Sequence, residues 1–374
     1  METFPITFLP DDVAVEAELG ETISEIAARG KIHINASCGG EGVCGRCVIE
    51  LRAGSVDATP GLYLSDDDFA KGIRLACRAK ATGPATVFIP LESRADASFF
   101  KKAAQAEEVL TVEHPDPMVR QSCLILEPPS QDDNRSDLDR VNAALAEQGL
   151  FDNDIDLSAI RQMPSALREA DFKVSVSIFY ELALQQPETP DFGRIVAFDK
   201  WSDEDKDFYG LAVDVGTTSV WIRLVNLATG EVMPSVGDLN SQLSFGEDVI
   251  SRIVYAGKKD GLKRLQMRVI DTINRLLARY EEAYPGYRKK TFIMAVAGNT
   301  TMAHLLVGLD PKNIRLSPYV PPASTWPSIR ASFLGLNVEP HTVMKVFPSV
   351  SSYVGGDIVS GVLAAGLYKN PELT

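Results

Sequence analysis

Histidine and cysteine are both scarce in this chain. Four histidines (His33, His114, His304 and His341) are scattered through 374 residues, a spread that offers no histidine-based metal site. No window approaches the roughly 18 uninterrupted apolar residues that a spanning helix needs. The opening Met-Glu-Thr-Phe-Pro lacks the basic and apolar regions of a secretory signal, so a cytoplasmic location is expected. Positive charge is in deficit: 37 Lys and Arg against 51 Asp and Glu leave a net charge of −14. That balance argues against nucleic acid or an anionic membrane as a partner, since both reward basic surfaces, but it permits docking onto a basic patch of another protein. Neither a glycine-rich P-loop nor a Gly-x-Gly-x-x-Gly fingerprint is present, which speaks against a P-loop ATPase and against a dinucleotide enzyme. Internal repeats and low-complexity tracts are missing as well. Of the five cysteines, four fall within the first 77 residues. An odd, bunched set in a chain expected to be cytosolic points to metal or redox chemistry rather than disulfides.

What is present divides into unlike segments, giving a multidomain α/β and α+β fold class. Residues 1–92 alternate short strands with a capped helix. Strands are expected at Ile6–Phe8, Val13–Leu19, Val48–Leu51 and Val87–Leu91. Thr22 with Glu25 forms a capping-box pattern, Gly30 sits where the helix would end, and Ser65 with Asp68 opens a second short helix. Four strands on one main helix make a small α+β unit. Residues 93–113 read as a partly helical linker rich in Ala, Gln, Lys and Glu. Residues 114–206 form a small α/β middle domain, with strands at Cys123–Leu126, Val174–Tyr180 and Arg194–Phe198 and helices at Leu138–Gln148 and Ser158–Ala170. Cys123 is expected to be a buried apolar strand residue. From 207 to 374 the pattern is α/β: strands Tyr209–Val215, Val220–Leu227 and Phe292–Ala297, and amphipathic helices Asp248–Ala256 and Gly261–Ala283.

The cysteines are spaced Cys38-x5-Cys44-x2-Cys47, with Cys77 following after 29 intervening residues. Three thiolates from one tight loop and a fourth from a distant one suit a [2Fe–2S] cluster. The loop, Cys-Gly-Gly-Glu-Gly-Val-Cys-Gly-Arg-Cys, needs its glycines to reach positive φ and to aim backbone N–H groups at the sulfurs. A structural zinc site would show paired Cys-x2-Cys knuckles, and only one such pair exists. A [4Fe–4S] site prefers the tighter Cys-x2-Cys-x2-Cys run, which is missing. The x5 spacing resembles adrenodoxin-type ferredoxins, and the order of strands and helix resembles their β-grasp fold. Such domains move single electrons; the cluster does not name the acceptor.

A second signal is Asp214-Val215-Gly216-Thr217-Thr218-Ser219, between two expected strands. An ordinary hairpin turn is the plain alternative. The segment resembles the phosphate-binding hairpin of the actin, sugar kinase and Hsp70 superfamily, where the Asp contacts the Mg²⁺ shell and the Gly-Thr-Thr turn offers N–H and hydroxyl groups to phosphates. Gly298-Asn299-Thr300-Thr301 follows another buried strand and opens a helix, and Gly355-Gly356-Asp357 precedes the apolar stretch Ile358–Leu367.

Taken together, these parts resemble the reductive activators of corrinoid-dependent methyltransferase systems, which restore Co(II) corrinoid to Co(I) with ATP. The matching stretches are Ser37–Arg46, Asp214–Ser219, Asn240-Ser241-Gln242, Phe245–Ile253, Ala297–Pro311 and Tyr353–Gly361. The resemblance implies that Cys38, Cys44, Cys47 and Cys77 hold the cluster that delivers the electron. It also implies that Asp214, Gly216, Thr217 and Thr218 form one wall of a nucleotide site, with Asn299, Thr300, Gly356 and Asp357 nearby and ATP and Mg²⁺ as further ligands. Implied partners are the corrinoid protein of a methyltransferase system and an upstream low-potential electron donor, and a homodimer is compatible. The third domain is then the first part of an actin-like (RNase H-like) ATPase domain. Only one Asp-x-Gly-Thr is found where the family carries two, so the chain is expected to be shortened at its C-terminus, and ATP hydrolysis by these residues alone stays open. Two other readings remain: a [2Fe–2S] electron carrier fused to a non-catalytic interaction scaffold, and an ATP-gated dehydratase activator, against which the x5-x2 loop speaks.

Overall fold

The computed structural model of the chain describes residues 3–30, 32–35, 38, 40, 42–59, 63–94, 110–111, 116–151, 153–180, 193–202 and 206–369. The first unit is built from β1 (Thr3–Leu9), β2 (Val13–Glu18), α1 (Ile23–Arg29), β3 (Val48–Asp57), α2 (Asp66–Ala70), β4 (Ile73–Leu75) and β5 (Lys80–Phe88). Its sheet runs β2-β1-β5-β3-β4, with β1 and β5 parallel and the other neighbours antiparallel. Thr22 and Glu25 close a reciprocal capping box, which turns the extended chain into α1 at a defined residue. From there Ile23, Ile26 and Ala27 pack onto Ile6, Phe8, Ile49 and Val87, all fully buried. Each Ile or Phe so buried stabilises the unit by about 1.5–3 kcal/mol. This is the β-grasp arrangement, with one correction to the sequence reading. The sheet has five strands rather than four, because Ile73–Leu75 pairs with the start of β3 (Val48↔Leu75). A three-residue strand is too short to show a period of two.

Most of the expected 93–113 linker, including its helical part, lies outside the described residues. Its two ends are tied down: Arg94 bridges to Ile34, and Leu110–Thr111 forms strand β6.

The second unit comprises β7 (Val119–Ile125), α3 (Asp137–Glu147), β8 (Asp154–Ile155), α4 (Leu157–Glu169), β9 (Lys173–Tyr180) and β10 (Gly193–Lys200), in sheet order β7-β9-β10-β8. Val141 and Leu145 of α3, and Met163 and Leu167 of α4, pack with Leu124, Val174, Val176 and Ile178. Alternation along β7 and β9 sends Val119 and Phe179 to the opposite face, where they meet Phe208, Phe292 and Val343 of the next unit. Cys123 lies on β7 as expected but is half-buried rather than buried, because its neighbour Leu124 takes the core-facing position.

The third unit holds β11 (Tyr209–Val215), β12 (Ser219–Asn226), β13 (Glu231–Val232), β14 (Val236–Leu239), α5 (Val249–Ala256), α6 (Gly261–Ala283), β15 (Thr291–Gly298), α7 (Thr300–Val307), β16 (Ile329–Arg330), β17 (Val343–Val346) and α8 (Gly356–Ala364). Its sheet runs β16-β17-β15-β11-β12-β13-β6, with β14 on β12. The linker's end strand is thus stitched to its edge, Glu231 pairing with Thr111. Strands β11, β15 and β17 are parallel, while β11 and β12 form an antiparallel hairpin. The 23-residue α6 lays Leu265, Val269, Ile273, Leu276 and Tyr280 across one face, against Leu211, Val213, Ile222 and Leu224. On the other face Ala212 and Asp214 are exposed and α8 runs alongside. The carboxyl ends of the parallel strands therefore point the following turns toward one region, where open α/β sheets place their ligands. Among the described residues no helix is long and apolar enough to cross a membrane.

Candidate functional site

The loop between α1 and β3 brings Cys44 and Cys47 to Cys77, which lies just before β5. Cys47 and Cys77 are buried with their sulfurs 3.4 Å apart, while Cys38 and Cys44, half-buried, share a second hydrogen bond. The four sulfurs thus stand as two pairs. Among the described residues no trio of His, Cys, Asp or Glu is arranged for a single metal ion. A binuclear cluster, with two thiolates on each iron, fits this two-by-two set.

Electrostatics agree. The Cys77 thiol donating to it, joined by backbone N–H groups of Cys77, Cys47 and Ala76, brings Cys47 down to about 7 despite burial. Cys77 is pushed up by that same bond, then by burial and by the charges of Cys47, Cys38 and Cys44. Four thiolates at this spacing repel one another, and cationic irons between them would remove the conflict. Gly42 and Gly45 hold the loop at φ +74° and +69°. A Cβ at Gly42 would lie 2.9 Å from the Arg78 side chain, and one at Gly45 3.0 Å from the Tyr63 ring.

The turns of the third unit converge as the sequence reading expected for some residues and not for others. Asn299 caps α7, its Oδ1 accepting from the Met302 N–H at 3.0 Å, and its Nδ2 donates to the Thr217 hydroxyl at 3.1 Å. Gly355 presses on the same turn: a Cβ there would sit 2.5 Å from the Asn299 Cα. Gly216 closes the hairpin through its N–H to the Ser219 carbonyl, 2.9 Å. Asp214 and Asp357 face a common open groove of about 520 Å³ that Trp221, Arg223 and Ser360 also line. Surrounding protein atoms and then the Asp357 charge raise the Asp214 pKa, a conflict that a divalent cation would relieve. Thr218 is exposed at the tip of the hairpin. Thr300 is buried with its hydroxyl donated to the Ser351 carbonyl at 2.7 Å, so it offers the groove only its place in the helix start. Gly356 packs on Phe347, which sets α8 against the groove.

Sequence reasoning missed what holds the hairpin from behind. Arg252 is fully buried; its Nε donates to the Gly246 carbonyl at 2.8 Å, its Nη1 to Gln242 Oε1 at 3.1 Å, and its Nη2 to the Thr217 carbonyl. Burial brings this guanidinium down to about 9. Asn240 Nδ2 donates to the Gly216 carbonyl at 2.8 Å, and the Asn240 N–H to the Thr218 carbonyl at 2.9 Å. The available signal was the polar run Asn240-Ser241-Gln242, buried throughout, since such a run enters an apolar core only where it binds backbone or other buried polar groups.

The first unit docks on the third beside this network. Glu25 pairs with Arg264, Arg46 reaches Glu247 at 3.5 Å, and Ala28 enters the apolar core that contains Phe245 and α6.

A ferredoxin unit joined through a small α/β unit to a larger mixed α/β sheet bearing glycine–threonine turns defines a class of modular iron–sulfur proteins. Residues 6–82 match the 2Fe-2S iron-sulfur cluster binding domain, 112–197 the RACo linker region and 209–370 the RACo middle region. The chain thus carries a RACo linker region and a RACo middle region behind an N-terminal domain that binds a [2Fe–2S] cluster. It is similar to the corrinoid activation enzyme RamQ of Eubacterium limosum, 26% identical over 378 residues, covering 99% of this chain and 56% of that protein. A solved structure described as a reductive activator for corrinoid, iron-sulfur protein is 31% identical with a TM-score of 0.61, covering 98% of this chain and 58% of that one. The present chain thus spans just over half the length of both. The first unit alone is 36% identical over 72 residues to CDP-6-deoxy-L-threo-D-glycero-4-hexulose-3-dehydrase reductase of Yersinia pestis, 19% of this chain and 22% of that protein.

Proposed function

We propose that this chain delivers single electrons from a [2Fe–2S] cluster held by Cys38, Cys44, Cys47 and Cys77 to the cobalt of a partner corrinoid protein, taking Co(II) to Co(I), under the control of a bound nucleotide. The observation that carries the reading is the docking of the four-cysteine unit beside a hairpin, Asp214–Ser219, whose carbonyls are held by the buried Arg252 and Asn240. The cluster, when bound, supplies one-electron transfer at low potential. The residues of the chain do the rest. The glycine loop surrounds the four sulfurs and directs N–H groups at them. Arg252 and Asn240 draw the carbonyls of residues 216–218 inward, which turns the outer side of the hairpin toward the groove. There Gly216, Thr217 and Thr218, with Asn299, Thr300 and Gly356, would receive phosphates, and Asp214 with Asp357 would hold Mg²⁺. In this reading the chain divides at 1–92, an electron-carrying domain; 93–113, its tether; 114–206, a spacer; and 207–374, a nucleotide-binding domain. The electron enters from an upstream low-potential donor.

The test is anaerobic visible spectroscopy of a Co(II) corrinoid protein mixed with catalytic amounts of this chain and a low-potential reductant, with and without ATP. Growth of the Co(I) band that depends on ATP supports the activator. A cluster that reduces and reoxidises while no Co(I) forms would leave an electron carrier on a scaffold.

A further inference from the structure

Where the first unit meets the third, a half-enclosed cavity of about 340 Å³ has Gly40 and Cys77 on one wall and Ser244, Phe245, Tyr255, Lys258, Lys259 and Arg264 on the other. Its described lining carries three cations and a single carboxylate, Glu25, in a chain whose net charge is −14. Arg264 is already engaged with Glu25, one of the ion pairs between the two units. Lys258 and Lys259 follow the end of α5, and Lys258 stands over the Tyr255 ring, 5.3 Å from its centroid. Tyr255 in turn packs on Phe245 at 4.8 Å, so the cation is carried on a fixed aromatic pair.

We infer that Lys258 and Lys259 set the reduction potential of the cluster in the docked state. The inference rests on Cys77 being a cluster ligand, as the proposed function has it. Four thiolates and two sulfides outweigh two ferric ions, so an oxidised cluster is an anion, and the electron that converts one ferric to a ferrous ion adds a further negative charge. Cations across this half-enclosed cavity stabilise the reduced form more than the oxidised form, which raises the potential. By reciprocity, reduction tightens docking to the same extent. The docked unit is therefore easier to load from a weak donor, and undocking turns the same cluster into a stronger reductant. A protein whose acceptor is harder to reduce than its donor gains from that order of events. Lys258 and Lys259 act here through the cluster's electrostatics and touch no reacting atom.

Both lysines are exposed, so their replacement leaves the fold intact. The experiment is an anaerobic spectroelectrochemical titration of the full chain with its cluster, using dithionite as the one-electron reductant at low ionic strength. Lys258→Gln and Lys259→Gln should each lower the midpoint potential and the double variant should lower it further. Lys259→Arg should hold the wild-type value, and Lys259→Glu should fall below Lys259→Gln. Equal potentials for the wild type and the double variant, with the visible spectrum of the cluster intact in both, would overturn the inference. A wild-type chain that never shows a [2Fe–2S] spectrum would overturn the cluster assignment itself and this tuning with it.

Discussion

Asn299 Nδ2 lies 3.1 Å from the Thr217 hydroxyl, joining two glycine turns that are 82 positions apart in sequence. The same side chain caps α7, so one carboxamide aligns a helix start with a hairpin tip. Asn299→Ala removes both bonds. The lost cap costs about 1 kcal/mol, read as a lower urea midpoint. Under the nucleotide reading the substitution also weakens ATP binding, whereas Asn299→Ser, which restores the cap but not the reach to Thr217, should recover stability without recovering affinity. Equal recovery of both would show that the bond to Thr217 does nothing for the ligand.

Arg252 is the harder loss. Truncation to Met leaves the Thr217 and Gly246 carbonyls without their donor inside the protein, and Gln242 Oε1 with only Asn240 Nδ2 at 3.4 Å. Each orphaned group costs about 1–3 kcal/mol, so Arg252→Met should destabilise the third unit by about 3 kcal/mol or more. Arg252→Lys, with a point charge in place of a planar fork, should rescue little. Chemical denaturation of the three proteins checks this; a rescued lysine variant would mean that charge, not the fork, matters here.

Local chemistry was legible in the sequence, and long-range pairing was not. The capping boxes at Thr22 and Ser65 announce their helices because donor and acceptor lie three residues apart. The Asp214 hairpin and the four-cysteine loop are likewise contiguous. Nothing local marks Glu231–Val232 as the partner of Leu110–Thr111, since two-residue strands have no pattern and their pairing is decided by the sheet edge. Arg252 sits in an amphipathic helix where an arginine reads as a surface residue; only the carbonyls turned inward from residues 217 and 246 explain its burial. Cys123 shows the same limit, because apolar character names a strand but not which of its faces is covered.

Cys77→Ser should reduce the iron content from about two per chain toward zero and abolish the visible absorbance. Cys47 and Cys77 form the buried pair of the cluster site, and a hydroxyl does not replace a thiolate there. Cys123→Ser, on a different unit and half-buried, should leave both iron and spectrum unchanged. Iron retained by Cys77→Ser would remove Cys77 from the ligand set.

Acid should loosen the docking of the first unit through His33. Burial first, then the charges of Arg275 and Arg268 from α6, bring its pKa from 6.5 down to about 4, with Asp238 of β14 opposing them. Its Nδ1 is buried without a hydrogen-bond partner. In the fold the ring is therefore neutral down to about pH 4, while the unfolded chain already binds the proton near 6.5. The unfolded state binds more protons across that window, so stability is full above it and falls as pH drops through it, by up to about 3 kcal/mol for this group. His341, half-buried near the charge of Arg330 and also brought down to about 4, adds a loss of the same sign. Urea midpoints of the wild type and His33→Gln, measured from pH 7 to pH 4.5, separate the two: the variant should lose clearly less stability on acidification. Parallel curves would place the acid sensitivity elsewhere and leave His33 as a neutral spacer between the units.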